Sequence, residues 1–439
     1  MTIETELKFI ASKEAVTRLA ERLNSCPGQH FEPRALANIY FETSDNQLRR
    51  WDMGLRIRGV DNHYEMTLKT RGQTIGGLHQ RPEYNVSLTS NALDIRLLPA
   101  DVWPEGTDVE ALQQQLHPLF QTDFAREIWL ITYAGSEIEV AFDQGAVIAG
   151  ELQVPLFEVE LELKQGTRHD LMAFAFELIR DGGLRPGSLS KAARGYHLAQ
   201  GNPQKDVHPF PRLQSDKKLN CEQGLQAMLS TLLAEWQYHE ELWLNGDRKA
   251  AARVQEILLA IREVFTLFGG MLPRKASGQL REQLLALEQA MTGDIAAETL
   301  CFSAVSAETQ LTLTHWLIEQ PWKALLEEKH RKKMEGSFKR FCDVMLGRVF
   351  AELKQITSGV NQVSEYQDRA LKIHKQLLAV CLLCGAYPLA AVDEWLAPWW
   401  LALKKINEQQ YDDLPWTLRS LHRQAPFWLN GNEAARNRE

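Results

Sequence analysis

Apolar and polar positions alternate through the first two hundred residues of the chain. In "IETELKFI" (3–10), Glu4, Glu6 and Lys8 share one face, and Ile3, Thr5, Leu7 and Phe9 share the other. The same two-residue period recurs in "NIYFET" (38–43), "GLRIRGV" (54–60), "YEMTLKT" (64–70), "QRPEYNVSL" (80–88), "EIWLITYAG" (127–135), "SEIEVAFDQG" (136–145) and "PLFEVELELK" (155–164). Each stretch predicts a strand. Helical spacing occupies 13–24, 108–115 and 168–180, the last stopped by Gly182-Gly183. Many strands with few helices, and no βαβ alternation, predict an antiparallel α+β fold or a closed barrel.

The texture changes after residue 200. "GNPQKDVHPFPRLQSD" (201–216) has three prolines and no apolar period, and reads as a linker. Beyond it, 221–245, 248–268, 277–291, 307–319, 322–347, 349–358, 363–384 and 393–407 all carry helical spacing. The expected organisation is a β-rich domain over 1–200, a linker over 201–216 and an all-α bundle over 217–439.

The polar faces of the strands are unusually charged. Arg56 and Arg58 stand opposite Leu55 and Ile57. Glu65, Thr67 and Lys69 oppose Met66 and Leu68, and Arg81 and Glu83 oppose Tyr84 and Val86. Glu137, Glu139 and Asp143 oppose Ile138, Val140 and Phe142, while Glu158, Glu160, Glu162 and Lys164 oppose Val159, Leu161 and Leu163. A single such strand reads as a one-sided sheet with its charges in water. Together they segregate, with carboxylates on the first strand and the last two, and Arg and Lys on the middle ones. Closed into a barrel, these faces would turn inward and the apolar faces outward, the reverse of a small-barrel core. An interior of that kind needs its charges paired, hydrated or answered by a ligand. Arg and Lys suit phosphate oxygens; Asp and Glu suit a hard divalent cation such as Mg²⁺ or Mn²⁺. The implied ligand is a metal-bound polyphosphate.

Bulk composition narrows the partners. The 439 residues carry a net charge of -8, which disfavours a nucleic-acid binder. No apolar run is long enough for a membrane span, and the N-terminus lacks the pattern of a signal peptide, so a cytoplasmic location is expected. Six scattered cysteines fit reduced thiols. The Cys381-x-x-Cys384 pair sits in an apolar segment and reads as core.

Several elements occur in a telling order: Glu4-x-Glu6-x-Lys8, Leu55-Arg56-x-Arg58, Lys69, Arg81-x-Glu83, "IEVAFDQG" ending on Asp143, "EVELELK" and "SKAARGY" (190–196). This series strongly resembles the CYTH domain of the triphosphate tunnel metalloenzymes. The resemblance implies a closed antiparallel β-tunnel, a divalent metal, and hydrolysis of tripolyphosphate to pyrophosphate and phosphate. It implies metal contacts from Glu4, Glu6, Asp143, Glu158 and Glu160. Phosphate contacts would come from Lys8, Arg56, Arg58, Lys69, Arg81, Arg126, Lys191 and Arg194, with Glu4, Glu6 and Lys8 central to catalysis. Glu65, Glu83, Glu139 and Glu162 are expected as ion-pair partners, Glu162 equally as a ligand. Action on an organic or nucleoside triphosphate, including cyclisation, is the enzymatic alternative; a polyphosphate-binding scaffold is the non-enzymatic one. The helical half, with "KHRKKMEGSFKRF" (329–341), resembles a CHAD domain, a family associated with long-chain polyphosphate.

Overall fold

The computed structural model describes residues 2–61, 63–214, 218–360 and 364–429. Residues 215 and 216 of the expected linker, the start of the expected bundle at 217, and Val363 of an expected helix lie outside the described residues. The chain divides into two compact units. One comprises Met1–Asp206 and Ala296–Glu319; the other comprises Val207–Ile295 and Gln320–Glu439.

The first unit is built on ten strands: β1 (Thr2–Ala11), β2 (Gly28–Glu42), β3 (Gly54–Val60), β4 (His63–Lys69), β5 (Gln73–Ile75), β6 (Leu78–Leu88), β7 (His117–Tyr133), β8 (Ser136–Ala149), β9 (Leu152–Gln165) and β10 (Leu184–Pro186). They run in the order β10-β1-β9-β8-β7-β2-β3-β4-β6-β5, and a further β1–β6 pairing closes the ring. That pairing sets Thr2 opposite Glu83 and Leu7 opposite Leu78. Eight antiparallel strands thus form a closed barrel, as the alternation predicts. β5 and β10 are short additions to β6 and β1.

Alternation locates the strands better than their ends. β3 matches the expected 54–60, but β2 begins ten residues before 38 and β7 ten residues before 127. Pro33 accounts for the first difference. It supplies no N–H to the ladder, and the β2–β7 register shifts between Phe31 and Arg34.

The apolar faces point outward and form the core there. Leu7, Phe9, Trp129, Ile138, Val140, Val159 and Leu161 pack beneath the helices Ala15–Asn24 and Arg168–Leu178, through Leu19, Leu23, Leu171, Phe174 and Leu178. On the other flank, Leu55, Ile57, Met66 and Leu68 are covered by Ile95, Trp103 and Leu112. Sequence texture alone assigns residues 307–319 to the helical half. The structure instead packs the helix Ala304–Ile318 into the first unit, with Ala307 and Leu311 fully buried in the barrel's outer core. Its Thr314 meets Gly76, where a Cβ would stand 2.0 Å from the hydroxyl; Gly76 also has a φ of +61°.

The second unit is helical. Among its described residues are Cys221–Leu244, Arg248–Leu267, Gly278–Ala290, Phe338–Thr357, Glu365–Leu383 and Leu389–Asn407. Phe350, Trp395, Trp399 and Trp428 form a ring cluster in its core. Cys381 and Cys384 are buried, and burial pushes their thiols up to about 12 and about 11, as suits inert core cysteines. The basic helix Glu328–Met334 is largely self-compensated: Lys329 pairs with Glu327 at 2.8 Å and Lys332 with Glu328 at 3.1 Å. Among the described residues, no helix is long and apolar enough to cross a membrane.

Leu311 belongs to the barrel's core although it lies over a hundred residues beyond β10. Leu311→Ala is expected to cost about 2–5 kcal/mol. Hydrogen exchange should show the loss in β10 and in the helix Arg168–Leu178, which the helix Ala304–Ile318 packs against. Lost protection confined to Cys221–Leu244 and its neighbours would contradict this packing.

Candidate functional site

The barrel encloses a chamber of about 650 Å³, lined by eight Lys and Arg side chains and seven glutamates. Strand order explains how opposite charges come to face each other. β1, β9 and β8 are neighbours and carry five of the seven glutamates; β3, β4 and β6 are neighbours and carry four of the eight cations. In a ring of eight, β9 lies across from β3 and β8 across from β4. Register then sets the rungs: Glu139, Glu162 and Glu6 side by side, followed by Ala141, Glu160 and Lys8, followed by Asp143 and Glu158.

At its inner end the chamber is an ion network. The Lys191 ammonium donates to Glu158 at 2.8 Å and to Glu160 at 2.7 Å, and stands 2.8 Å from Asp143. The Arg126 guanidinium grips Asp143 with two bonds of 2.7 Å and reaches Glu160 at 2.8 Å. Lys8 lies 3.0 Å from Glu160, 3.6 Å from Glu158 and 4.0 Å from Glu6. Burial alone would lower the Lys8 and Lys191 ammoniums; the surrounding carboxylates overcome it and raise both. Burial alone would raise Asp143 and Glu160; Lys191 and Arg126, joined by Lys8 at Glu160, hold both below the usual carboxylate range.

The outer end is looser. Lys69 binds Glu4 and lies 3.9 Å from Glu83; Lys164 lies 3.0 Å from Glu162 and 3.8 Å from Glu139. Burial raises the Glu162 carboxyl, and Glu4 and Glu139 add to the rise against Lys164. Arg81 meets Asp52 at 3.4 Å. Arg56 and Arg58 differ from the other wall cations, since neither forms an ion pair with a described residue. Burial, with Arg56 and Arg126 nearby, pushes Arg58 down to about 9; its Nε donates to the Asn38 amide at 2.8 Å. Burial would raise the Tyr40 hydroxyl, but the Arg56 charge and hydrogen bond lower it. A pair of cations lacking carboxylate partners is an anion site in waiting.

Not every expected residue reaches this chamber. Glu4, Glu6, Glu160, Lys8, Arg56, Arg58, Lys69, Arg81, Arg126 and Lys191 do. Asp143 and Glu158, expected among the metal-binding carboxylates, do not. They share the inward parity but lie one rung too deep, fully buried beneath Lys191. Arg194, expected at phosphate, faces a different cavity and stands 3.5 Å from Glu158.

"SKAARGY" sets the inner end. Ser190 caps the helix Lys191–Ala199 by accepting from the Ala193 N–H, which fixes Lys191 at the first turn. Gly195 presses on Phe120, where a Cβ would stand 2.0 Å from the ring. The Tyr196 hydroxyl donates to buried Glu42 at 2.7 Å. Glu42 in turn accepts from the backbone N–H groups of Thr43, Leu48 and Arg49. Farther along the inward faces Val147 and Leu156 replace charges; there Tyr40 stacks on Phe120, and Tyr196 meets Phe120 edge-on.

A barrel of this topology, charged within, capped by a Ser-Lys helix, meets its counterpart among known proteins. Residues 2–196 match the CYTH domain family and residues 227–418 the CHAD domain family. The chain combines a CYTH domain with a CHAD domain. An inorganic triphosphatase of Haemophilus influenzae is 40% identical over 203 residues, which cover 45% of this chain and 55% of that protein. The chain thus spans about half the length of this curated relative. A Hippeastrum protein described as an adenylyl cyclase with a dominant triphosphatase activity is 17% identical, covering 46% of this chain and 97% of its own, with a TM-score of 0.33. The CHAD domain of the plant Ricinus communis is 16% identical, covering 53% of this chain and 96% of its own, with a TM-score of 0.36.

Among the chamber residues that escaped the sequence reading are Tyr40, His79 and Ser190; Asn38, which holds Arg58 from outside the lining, was missed as well. Asn38 and Tyr40 share the parity of Glu42 in "NIYFET", a signal that was present but uncharged. His79 precedes the alternating stretch assigned to β6, and Ser190 lies in a loop. His79 is neutral in character: burial, then Lys8, push it down to about 4. In the CHAD unit, His208, Glu235 and His239 converge within 4.8 Å. His239 is already engaged there, through the Glu235 carbonyl at 2.7 Å and the His208 N–H at 3.1 Å.

Asp143 and Glu160 titrate lower when folded than when unfolded. Their stabilisation is therefore present above the ordinary carboxylate range and lost as pH falls through the depressed folded values. Lys191→Met removes one cation from the network and should move the acid-unfolding midpoint upward by roughly one pH unit. Near-UV circular dichroism measures it; an unmoved midpoint would show that the network does not contribute to folding.

Proposed function

We propose that the CYTH chamber hydrolyses inorganic tripolyphosphate to pyrophosphate and phosphate with the help of a divalent metal, Mg²⁺ or Mn²⁺. The observation that carries this reading is the pair Arg56 and Arg58. Among the described residues these cations form no ion pair, and they face a self-neutralised network across an enclosed chamber. A linear anion of three phosphates fits that asymmetry, and a relative 40% identical over this half of the chain is named an inorganic triphosphatase.

The residues divide the work by charge. Arg56 and Arg58 take phosphate oxygens first, because an anion relieves their mutual repulsion. Lys8, Arg126 and Lys69 then exchange carboxylate oxygens for phosphate oxygens. Each exchange frees a carboxylate, so Glu4, Glu6 and Glu160 become available as the anion enters. With Glu162 they form an all-oxygen donor set that would hold a hard divalent cation, which would supply positive charge against the phosphates. Lys191 stays with Asp143 and Glu158, which orient it and Arg126 without touching substrate. Positioning and charge neutralisation are the main demands of phosphoryl transfer to water, and an enclosed chamber strengthens both.

Phosphate release from tripolyphosphate with Mg²⁺ or Mn²⁺ tests the reading. Arg56→Ala or Arg58→Ala should lower kcat/KM by roughly 10–100-fold, the worth of one charge-assisted hydrogen bond, in protein that stays folded. Glu4→Gln should abolish metal-dependent turnover. Faster turnover of ATP or thiamine triphosphate than of tripolyphosphate would move the assignment to an organic substrate. Binding without cleavage under every metal would leave a capture protein instead.

A further inference from the structure

A second cavity, of about 900 Å³, lies in the same unit and shares Glu158 with the ion network. Its lining carries Lys13, Arg18, Arg180 and Arg194. The first three form no ion pair with a described residue. Of the other carboxylates there, Asp181 is taken by Arg22 at 3.1 Å, and Glu14 and Glu298 are exposed to solvent. Two helix starts open onto the space: Ala15–Asn24, whose first turn has no side-chain cap, and Ala304–Ile318 behind Ser303.

Glu158 specifies the kind of anion. Its side chain is fully buried. One oxygen, Oε2, accepts from Lys191 at 2.8 Å. The other, Oε1, forms no hydrogen bond with a described residue and meets Arg194 only in a long ion pair of 3.5 Å. A buried acceptor left open costs free energy until a donor reaches it. A ligand fitting this cavity must therefore bring negative oxygens to the lysine and arginines, and an O–H to Glu158. Hydrogen phosphate carries both on one small tetrahedron; sulfate, fully ionised at neutral pH, carries no donor.

We propose that this cavity is a binding site for inorganic phosphate in its protonated form, with Arg18, Arg180 and Arg194 on its oxygens and Glu158 accepting its proton-bearing oxygen. The site is distinct from the tunnel chamber, since Glu158 and Arg194 do not line the chamber. If the tunnel releases phosphate, the cavity would hold the product one side chain away from Lys191. That role rests on the triphosphatase reading, whereas phosphate binding does not.

Calorimetric titration of the full chain with inorganic phosphate and with sulfate at pH 7 tests the proposal. Phosphate should bind at least about tenfold more tightly, the worth of one hydrogen bond to a charged group. The double variant Arg18→Gln/Arg180→Gln, made at exposed positions, should lose most of this affinity while its phosphate-free rate on tripolyphosphate stays unchanged. Equal affinity for phosphate and sulfate would overturn the proposal, as would no binding. So would binding that survives the double variant but is lost in Arg56→Gln, which would place phosphate in the tunnel. Binding with these signatures in a protein that fails to cleave tripolyphosphate would uphold the site and overturn only the triphosphatase reading.

Discussion

Charge can be buried inside this barrel because its deepest carboxylates each meet more than one cation. Asp143, Glu158 and Glu160 lie between Lys8, Arg126 and Lys191 at separations mostly under 3 Å. Removing any one cation leaves buried negative charge without compensation, which is far costlier than losing a surface pair. Much of the architecture follows. With charges inside, the strands must bury their apolar faces outside, so two helical layers are needed to cover them. Lys191 must be carried in from beyond the sheet, so a helix is capped by Ser190, pressed onto Phe120 through Gly195, and tied to Glu42 through Tyr196.

The same network prepares the chamber for exchange. Under the function proposed above, each wall cation that holds a glutamate exchanges it for a phosphate oxygen, and the glutamate it releases is free for a metal. Arg56 and Arg58 break the symmetry. Among the described residues they form no ion pair, and Tyr40 and Asn38 hold them without neutralising them.

Parity along the strands made most of this legible. A period of two, an excess of charge on one face and the separation of acidic from basic strands together indicated a barrel turned inside out. Depth was not legible. Glu158 and Glu162 have identical parity, and only register against β1 and β8 puts one beneath Lys191 and the other at the wall. Tyr40 and Asn38 were overlooked because the search followed charge, and uncharged inward residues give no such signal. The helix Ala304–Ile318 was assigned to the helical half because spacing reports amphipathicity, not the surface that covers it.

That helix gives the barrel a history in time. Its core is discontinuous in sequence: about ninety residues of the second unit separate Asp206 from Ala296. At ordinary translation speeds, roughly 6–25 s pass between the emergence of β10 and the arrival of Leu311. Through that interval the outer face of β1 and its neighbours waits partly uncovered on the ribosome. Nascent chains of this protein therefore expose an apolar surface late in synthesis, and the tunnel wall is completed only when a segment from within the helical half reaches it.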